Sequence, residues 1–339
     1  MHASDMNDEI TFGSAPSFPI GENTYLAQGV TSIRKAESVI IQSRQQNNCF
    51  PSRVDIERCF TQEPAVYDFV IQGLVVGTIG LVTSPGGAGK STFAMQLAAS
   101  VASNTDKLGV GIEHAGSVLF LSGEDPEIVL HHRLHNLAAS YDSAERALIA
   151  SRCDFRCTIG LGADIMSDKW RDWIREQSKG RRLVVIDTLS RFHSLNENDA
   201  SDAKKLMMRL EHIAHELNTA ILVLHHVSKN AVLNGESDAP QAARGSSVFV
   251  DNARWASFLT VMTKKEAEAR NIQEADRRHY VRWNINKQNY SEPIIDKWFE
   301  RGVGGVLRPA DFSTRSKKQK AYAYASQSSV LPRGSDDWY

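Results

Sequence analysis

Residues 82–92, VTSPGGAGKST, place a glycine-rich turn between an apolar run and a segment with helical spacing. The phosphate-binding loop pattern is Gly, four residues, then Gly-Lys-Ser/Thr. The segment SPGGAGKS (84–91) matches it except that Ser84 stands where the first glycine would be. Glycines at these positions let successive backbone N–H groups point at phosphate oxygens, and the following helix adds its positive N-terminal end. This stretch therefore predicts a nucleotide phosphate site.

Each part of the loop has an expected role. Lys90 would neutralise the β- and γ-phosphates, and the Ser91 hydroxyl would help hold Mg²⁺. ATP and Mg²⁺ are therefore the expected substrate and metal. The expected phosphate-binding set is Pro85, Gly86, Gly87, Ala88, Gly89, Lys90, Ser91 and Thr92.

The bulk composition is that of an ordinary globular protein. Of 339 residues, 42% are apolar and 23% are charged, and the formal net charge is −1. No overall basic field attracts nucleic acid, so any such binding must come from local patches or from assembly geometry. Four cysteines lie at 49, 59, 153 and 157 without a histidine at metal-ligand spacing, which favours reduced thiols. No secretory signal or bilayer-length apolar run is seen, so we expect a cytoplasmic protein with no membrane partner.

The central part of the chain alternates between strand-like and helix-like segments. Strands of a parallel sheet that is covered on both faces read as short apolar runs separated by amphipathic helices. Proline at 126 is expected at the first position of its helix. The predicted strands are 77–84, 116–125, 181–190 and 219–228, and the predicted helices are 91–103, 126–141, 168–178 and 201–217.

The ends of the chain have a different texture. Beyond residue 246 the pattern is strand-like without intervening helices, which predicts antiparallel strands that extend the same sheet. Residues 1–60 are polar, with one short helix near 31–46, and are expected to form a partly disordered extension. Residues 61–312 are expected to form the catalytic domain, and residues 313–339 a flexible basic tail.

Carboxylates follow two of the predicted strands. The run LVVIDT ends in Asp187, the expected Mg²⁺-holding acid, and the next residue is Thr188 rather than a second acid. The run LFLSGEDP ends in Glu124 and Asp125, and Glu124 is the candidate that orients the attacking water. Asp187 alone could equally cap a helix, and Glu124 could merely favour a helix N-terminus.

Two adjacent histidines, His225 and His226, end the fourth predicted strand. A strand-tip imidazole beside the γ-phosphate could distinguish ATP from ADP. Neighbouring residues of a strand point to opposite faces, so only one of the two can face the nucleotide. The sequence alone leaves that choice open.

These segments, in this order, resemble a known family. A Glu after the second strand and an Asp without a following Glu after the third are similar to the RecA-like branch of P-loop NTPases. More closely, the region from about 65 to 310 resembles the RepA-type hexameric replicative helicases of broad-host-range plasmids. The segments that carry this resemblance are SPGGAGKS, ED with HHRLH, DTLSRFH, LHHVSK, ARGSSVFVDNARW and KQNY.

The resemblance implies a homohexameric ring with ATP sites between subunits that moves along single-stranded DNA, 5′ to 3′. It matches His226 to the γ-phosphate sensor and Arg254 to an arginine finger that reaches the neighbour's site, with Arg244 as the alternative finger. It also places Arg133 where an arginine stacks on adenine. Channel-lining loops would be residues 190–200 and 228–246, the second of which carries Lys229 and Arg244.

Two hypotheses share every one of these residues. The first is an ATP-driven hexameric DNA helicase for plasmid replication, for which primase or origin-binding proteins are candidate partners. The second is a RecA-like DNA-binding ATPase that acts as a regulator or assembly platform without unwinding. Strand separation distinguishes the two, and no motif reports it. Ring size, the choice of loading partner and the role of residues 1–60 are likewise left open.

Overall fold

A computed structural model describes residues 53–197, 199–227 and 247–312. The chain divides into two units, with the boundary between Ala65 and Val66. Within the described part of the first unit, a short helix begins after Asp55, whose side chain accepts a hydrogen bond from the Arg58 backbone N–H. The predicted helix at 31–46, most of the extension of residues 1–60 and the tail of residues 313–339 lie outside the described residues. The three-part division of the chain stays a prediction.

The described elements follow one another along the chain as follows. The strands are β1 (Phe69–Ile71), β2 (Leu74–Val75), β3 (Ile79–Ser84), β4 (Val118–Ser122), β5 (Cys153–Cys157), β6 (Leu183–Asp187), β7 (Ala220–His226), β8 (Trp255–Val261), β9 (Tyr280–Gln288), β10 (Lys297–Arg301) and β11 (Leu307–Pro309). The helices are α1 (Ile56–Thr61), α2 (Lys90–Ser103), α3 (Glu127–Ala138), α4 (Ser143–Arg152), α5 (Asp168–Ser178), α6 (Ala200–Leu217), α7 (Ser247–Asn252) and α8 (Lys264–Ala269).

The second unit is built on a large mixed sheet. Its described strands lie in the order β11-β10-β9-β8-β3-β7-β6-β4-β5, while β1 and β2 form a separate hairpin. The strands from β8 to β5 in this order are parallel to their neighbours. Strands β9, β10 and β11 are added antiparallel on the other side of β8. The fold is therefore RecA-like: a mainly parallel sheet between helices, with antiparallel strands toward the C-terminus, as predicted.

Burial explains why the central strands read as unbroken apolar runs. Every residue of β3, β4 and β6 is buried, because helices cover both faces of the sheet. One face packs against α2 and α3 through side chains such as Phe93 and Leu137. The other packs against α5 and α6 through side chains such as Ile174 and Leu210. The three- and four-residue spacing in α6 is thus the spacing of its buried stripe.

The C-terminal third differs from the prediction in its helices. The segment expected to be strand-like throughout contains α7 and α8. The sequence of α7, SVFVDN, has strand-forming residues, but Phe249 and Val250 are buried against the α6 face of the sheet. Packing has overridden local propensity here. Strand β8, which follows, is parallel to β3 on one side and antiparallel to β9 on the other.

Smaller differences concern boundaries and omitted elements. Pro126 is the N-cap of α3, and the first helical residue is Glu127, so the expected position of that proline was wrong by one residue. The prediction had no place for α4 and β5, although Asp142 and Glu145 form a complete capping box at the start of α4. No helix of the described residues has the length and apolar character that crossing a bilayer requires.

Candidate nucleotide-binding site

The glycine-rich loop joins the carboxyl end of β3 to the first turn of α2. Gly87 and Gly89 have φ of +80° and +97°, in the left-handed region where a side chain is strained. Gly89 is also the N-cap of α2, so the loop turns directly into the helix. The first turn of α2 carries no acidic side chain, which leaves its N-terminal N–H groups available to an anion. The conformation is that of a phosphate-binding loop.

A residue distant in sequence braces this loop. Arg301 ends β10, and its Nη2 donates hydrogen bonds to the carbonyl oxygens of Gly87 at 3.0 Å and Ala88 at 2.6 Å. Those carbonyls belong to the peptide groups whose N–H ends are on Ala88 and Gly89. A hydrogen bond to the oxygen of a peptide polarises its N–H, which makes it a better donor to phosphate. Burial lowers the pKa of Arg301 from its ordinary value, but guanidinium remains charged.

Three side chains meet beside the loop. Lys90 is buried, and its Nζ lies 3.3 Å from Nδ1 and 3.4 Å from Nε2 of His226. The same imidazole lies 3.5 Å from the carboxylate of Glu124. Burial lowers the pKa of Lys90, while Asp187 and Glu124 oppose that shift. Burial and then Lys90 lower the pKa of His226, while Glu124 opposes them.

The two histidines separate as strand alternation requires. His226 pairs in register with Ser84 at the loop and faces Lys90, whereas His225 is buried and packs on Phe249 with ring centroids 5.0 Å apart. The histidine beside the loop lysine is therefore His226. That distinction was open at the level of the sequence because it depends on register.

Asp187 is buried at the end of β6, only 1% exposed. Neither of its carboxylate oxygens has a hydrogen-bond partner among the described residues at full bonding geometry. Burial raises its pKa to about 6, against the opposing effects of the nearby Ser91 hydroxyl and Lys90. A buried carboxylate without partners is costly when ionised, so this site is built to receive a cation.

Arg133 on α3 lies close to the acidic pair after β4. Its guanidinium contacts the Asp125 carboxylate at 3.0 and 3.2 Å. Burial raises the pKa of Asp125, and Arg133 opposes that shift. The ion pair fixes the direction of the Arg133 side chain at the edge of the site.

Comparison with known proteins gives the family. A model described as "AAA domain" matches residues 45–232, which is more than half of the chain. The chain belongs to the AAA domain family. Among solved structures it is similar to the ATPase domain of a helicase, with a TM-score of 0.50, 14% identity, and coverage of 86% of this chain and 100% of that one. It is also similar to the RadB recombinase, with a TM-score of 0.47, 14% identity, and coverage of 70% and 93%.

In this AAA-domain protein, a RecA-like P-loop ATPase, the residues present fit Mg²⁺. Carboxylate and hydroxyl oxygens are the ligands that Mg²⁺ prefers, and it keeps several waters beside them. Asp187 supplies two buried oxygens without full hydrogen-bond partners, and Ser91 lies close by. These two residues would hold the ion, which when bound neutralises phosphate charge. Among the described residues, no group of three or more His, Cys, Asp or Glu could hold a metal by itself.

Arg254 is placed away from all of these groups. It precedes β8, and its backbone N–H donates to the carbonyl of Ile79 at the start of β3. The phosphate loop leaves the other end of β3, roughly 15–20 Å away along a six-residue strand. The Arg254 side chain is exposed, and no hydrogen bond or ion pair to it is seen within residues 53–197, 199–227 and 247–312.

The residues expected to contact DNA are only partly within view. Lys229, Arg244 and their loop lie outside the described residues. In the other loop, Phe192 is buried, and its carbonyl accepts a hydrogen bond from the Ile165 backbone N–H at 2.8 Å. Arg191 in that loop is exposed.

Sequence reasoning missed Arg301 entirely. Its contacts with the phosphate loop span more than two hundred residues of sequence, and no motif surrounds it. The one available signal was weak: an arginine that ends a strand just before the run Gly-Val-Gly-Gly.

Proposed function

We propose that the chain is an ATP-driven, ring-shaped DNA helicase that translocates on single-stranded DNA and acts in plasmid replication. In this proposal Lys90 and Ser91 bind the triphosphate and its Mg²⁺, Asp187 holds the metal, and Glu124 orients the attacking water. His226 senses the γ-phosphate. Residues 61–312 form the ATPase domain, and residues 85–92 with Arg133 bind the nucleotide.

One observation carries the assembly part of the proposal: the position of Arg254. The phosphate loop, Glu124, Asp187 and His226 occupy the carboxyl edge of the parallel strands, whereas Arg254 lies at the opposite edge with an exposed side chain. An arginine there cannot reach its own chain's phosphates, but it can reach those of a neighbour in a head-to-tail assembly. Repeated head-to-tail contacts close into rings when the rotation allows it.

The number of subunits and the DNA polarity rest on the resemblance alone. It supports a homohexamer, single-stranded DNA in the central channel, and movement from 5′ to 3′. Lys229 and Arg244 are the proposed cationic contacts to the DNA backbone, with primase or origin-binding proteins as further partners. Arg244 is also the alternative trans arginine.

The first experiment is unwinding of a forked DNA substrate with ATP by the purified wild-type protein and by Lys90→Ala, Arg254→Ala and Arg278→Ala. Arg278 is exposed and distant from the loop in sequence, so its variant is the matched control. We expect unwinding by wild type and Arg278→Ala only. Loss of a trans arginine is expected to slow ATP hydrolysis by about 10³–10⁵.

Mixing the two inactive variants tests whether Arg254 acts in trans. A site at which an Arg254→Ala subunit supplies Lys90 and its Lys90→Ala neighbour supplies Arg254 is complete. At equal amounts, about a quarter of the interfaces in randomly mixed head-to-tail rings are complete, so ATPase activity should recover to about a quarter of wild type. No recovery in mixed assemblies would exclude the trans role.

The regulator hypothesis has its own outcome. If wild type hydrolyses ATP but leaves the fork intact, with or without a loading protein, the chain is a DNA-binding ATPase that does not unwind. The same data for Lys90→Ala would still assign the hydrolysis to this site.

A further inference from the structure

A partly buried carboxylate bridges two histidines behind the nucleotide site. Glu197 Oε1 lies 3.1 Å from His193 Nε2, and Glu197 Oε2 lies 3.1 Å from His225 Nε2. The two imidazole side chains are only 3% and 5% exposed. Hydrogen bonds from His193 and then from His225 lower the pKa of Glu197 to about 2, so the carboxylate is ionised at neutral pH.

This carboxylate is the meeting point of three parts of the fold. His193 and Glu197 belong to the segment 190–197, which follows β6 and Asp187. His225 belongs to the tip of β7 and is the residue next to His226. Phe249, on which the His225 ring packs, belongs to α7, and Arg254 follows that helix closely.

The β7 tip is the mechanical link to the nucleotide. In the structure Lys90 Nζ is shared with the imidazole of His226. A phosphate is a far stronger partner for an ammonium group than a neutral imidazole, so a bound nucleotide would draw Lys90 away from His226. His225 and His226 are consecutive on one strand and point to opposite faces, so a shift of the strand tip at His226 also moves His225.

We propose that Glu197 is a positioning residue that couples occupancy of the nucleotide site to the conformation of segment 190–197. Its two oxygens tie that segment to His225, so the segment follows the β7 tip when His226 responds to nucleotide. The proposal rests on the proposed function only in assigning segment 190–197 to the DNA channel. The coupling itself is a property of a single chain.

The sharpest test measures hydrogen exchange peptide by peptide, with and without Mg²⁺ and a non-hydrolysable ATP analogue. The proteins are full-length wild type, Glu197→Gln, and Glu268→Gln, whose glutamate is exposed on α8. The glutamine variant keeps the side-chain size and one carbonyl acceptor but can accept from only one of the two histidines without placing its NH₂ against the other.

In wild type and Glu268→Gln we expect nucleotide to change exchange both in residues 85–92 and in the peptide covering 189–197. In Glu197→Gln the change at 85–92 is expected to persist, because Glu197 does not touch those residues, while the change at 189–197 is lost. Stimulation of ATPase activity by single-stranded DNA should fall to about one in the same variant, since coupling between two sites is reciprocal in binding.

Each alternative result is decisive. A wild-type segment that ignores nucleotide while residues 85–92 respond would overturn the coupling and leave the helicase proposal standing. A Glu197→Gln segment that still responds would do the same. Coupling that is lost in Glu197→Gln, in a wild type that fails to unwind forks, supports the positioning role and removes only the helicase assignment. Absence of any nucleotide effect at 85–92 in wild type would overturn both proposals.

Discussion

Replacing Asp187 by Asn should make the nucleotide-free protein more stable at neutral pH. The carboxylate is 1% exposed, and its oxygens lack full hydrogen-bond partners among the described residues. The folded protein therefore favours the protonated acid, and its pKa rises from 3.8 to about 6. A neutral amide of the same shape removes the cost of burying the charge.

The sign and size follow from linkage. Between about pH 4 and about pH 6 the folded state retains a proton that the unfolded state has lost, so the stability contributed by this group falls as pH rises. A difference of about two pKa units corresponds to about 3 kcal/mol. Lys90, which lies nearby, loses an attractive partner in the variant, and this reduces the gain. We expect Asp187→Asn to be more stable than wild type by about 1–3 kcal/mol at pH 7.5, and equal to it near pH 4.

Urea unfolding of the full-length proteins at pH 4, 5, 6 and 7.5, without nucleotide or Mg²⁺, measures this difference. Asp276→Asn, at an exposed aspartate, is the control and should show no such profile. Addition of Mg²⁺ and ADP should reverse the order, because ligand binding stabilises the protein that binds it more tightly. A stability difference that does not change between pH 4 and pH 7.5 would refute the argument from burial.

Three further changes have defined outcomes. Arg301→Ala should weaken binding of a fluorescent ADP by about tenfold through loss of two hydrogen bonds to the loop, and Arg308→Ala, at an exposed arginine of β11, should not; equal affinities would show that the loop needs no brace. Glu124→Gln should keep ATP affinity while kcat falls by about 10²–10⁴, and a parallel loss of affinity would instead indicate a binding role. Leu210→Ala should lower the free energy of unfolding by about 2–5 kcal/mol, whereas Met208→Ala, exposed on the same helix, should change it by less than about 0.5 kcal/mol in denaturant titrations.

The parts of the fold that the sequence predicts well are those with a local cause. Buried parallel strands are apolar along their whole length, and the glycine loop needs particular residues at particular backbone angles, so both are visible in a short window. The positions of Glu124, Asp187 and His226 follow from the same reasoning, because parallel strands that share a direction bring their carboxyl ends to one edge. The structure brings Lys90, Glu124 and His226 into contact at that edge.

What escaped prediction depends on distant partners. Helix α7 looks like a strand until Phe249 is seen to pack against the sheet. The contacts of Arg301 and Glu197 join residues far apart in sequence, and neither residue lies in a recognisable pattern. Strand β5 is at the edge of the sheet and only partly buried, so it lacks the apolar run that marks the central strands.

The order of strands also constrains how the chain is made. The neighbours of β3 are β7 and β8, which begin at Ala220 and Trp255, so the strand that carries the phosphate loop lacks both of these partners when it is first synthesised. At typical rates of translation, β7 follows Lys90 by roughly 6–26 seconds. During that time the apolar segment is open to chaperones or to other nascent chains. The first nucleotide to bind thus marks a chain whose central sheet is already complete.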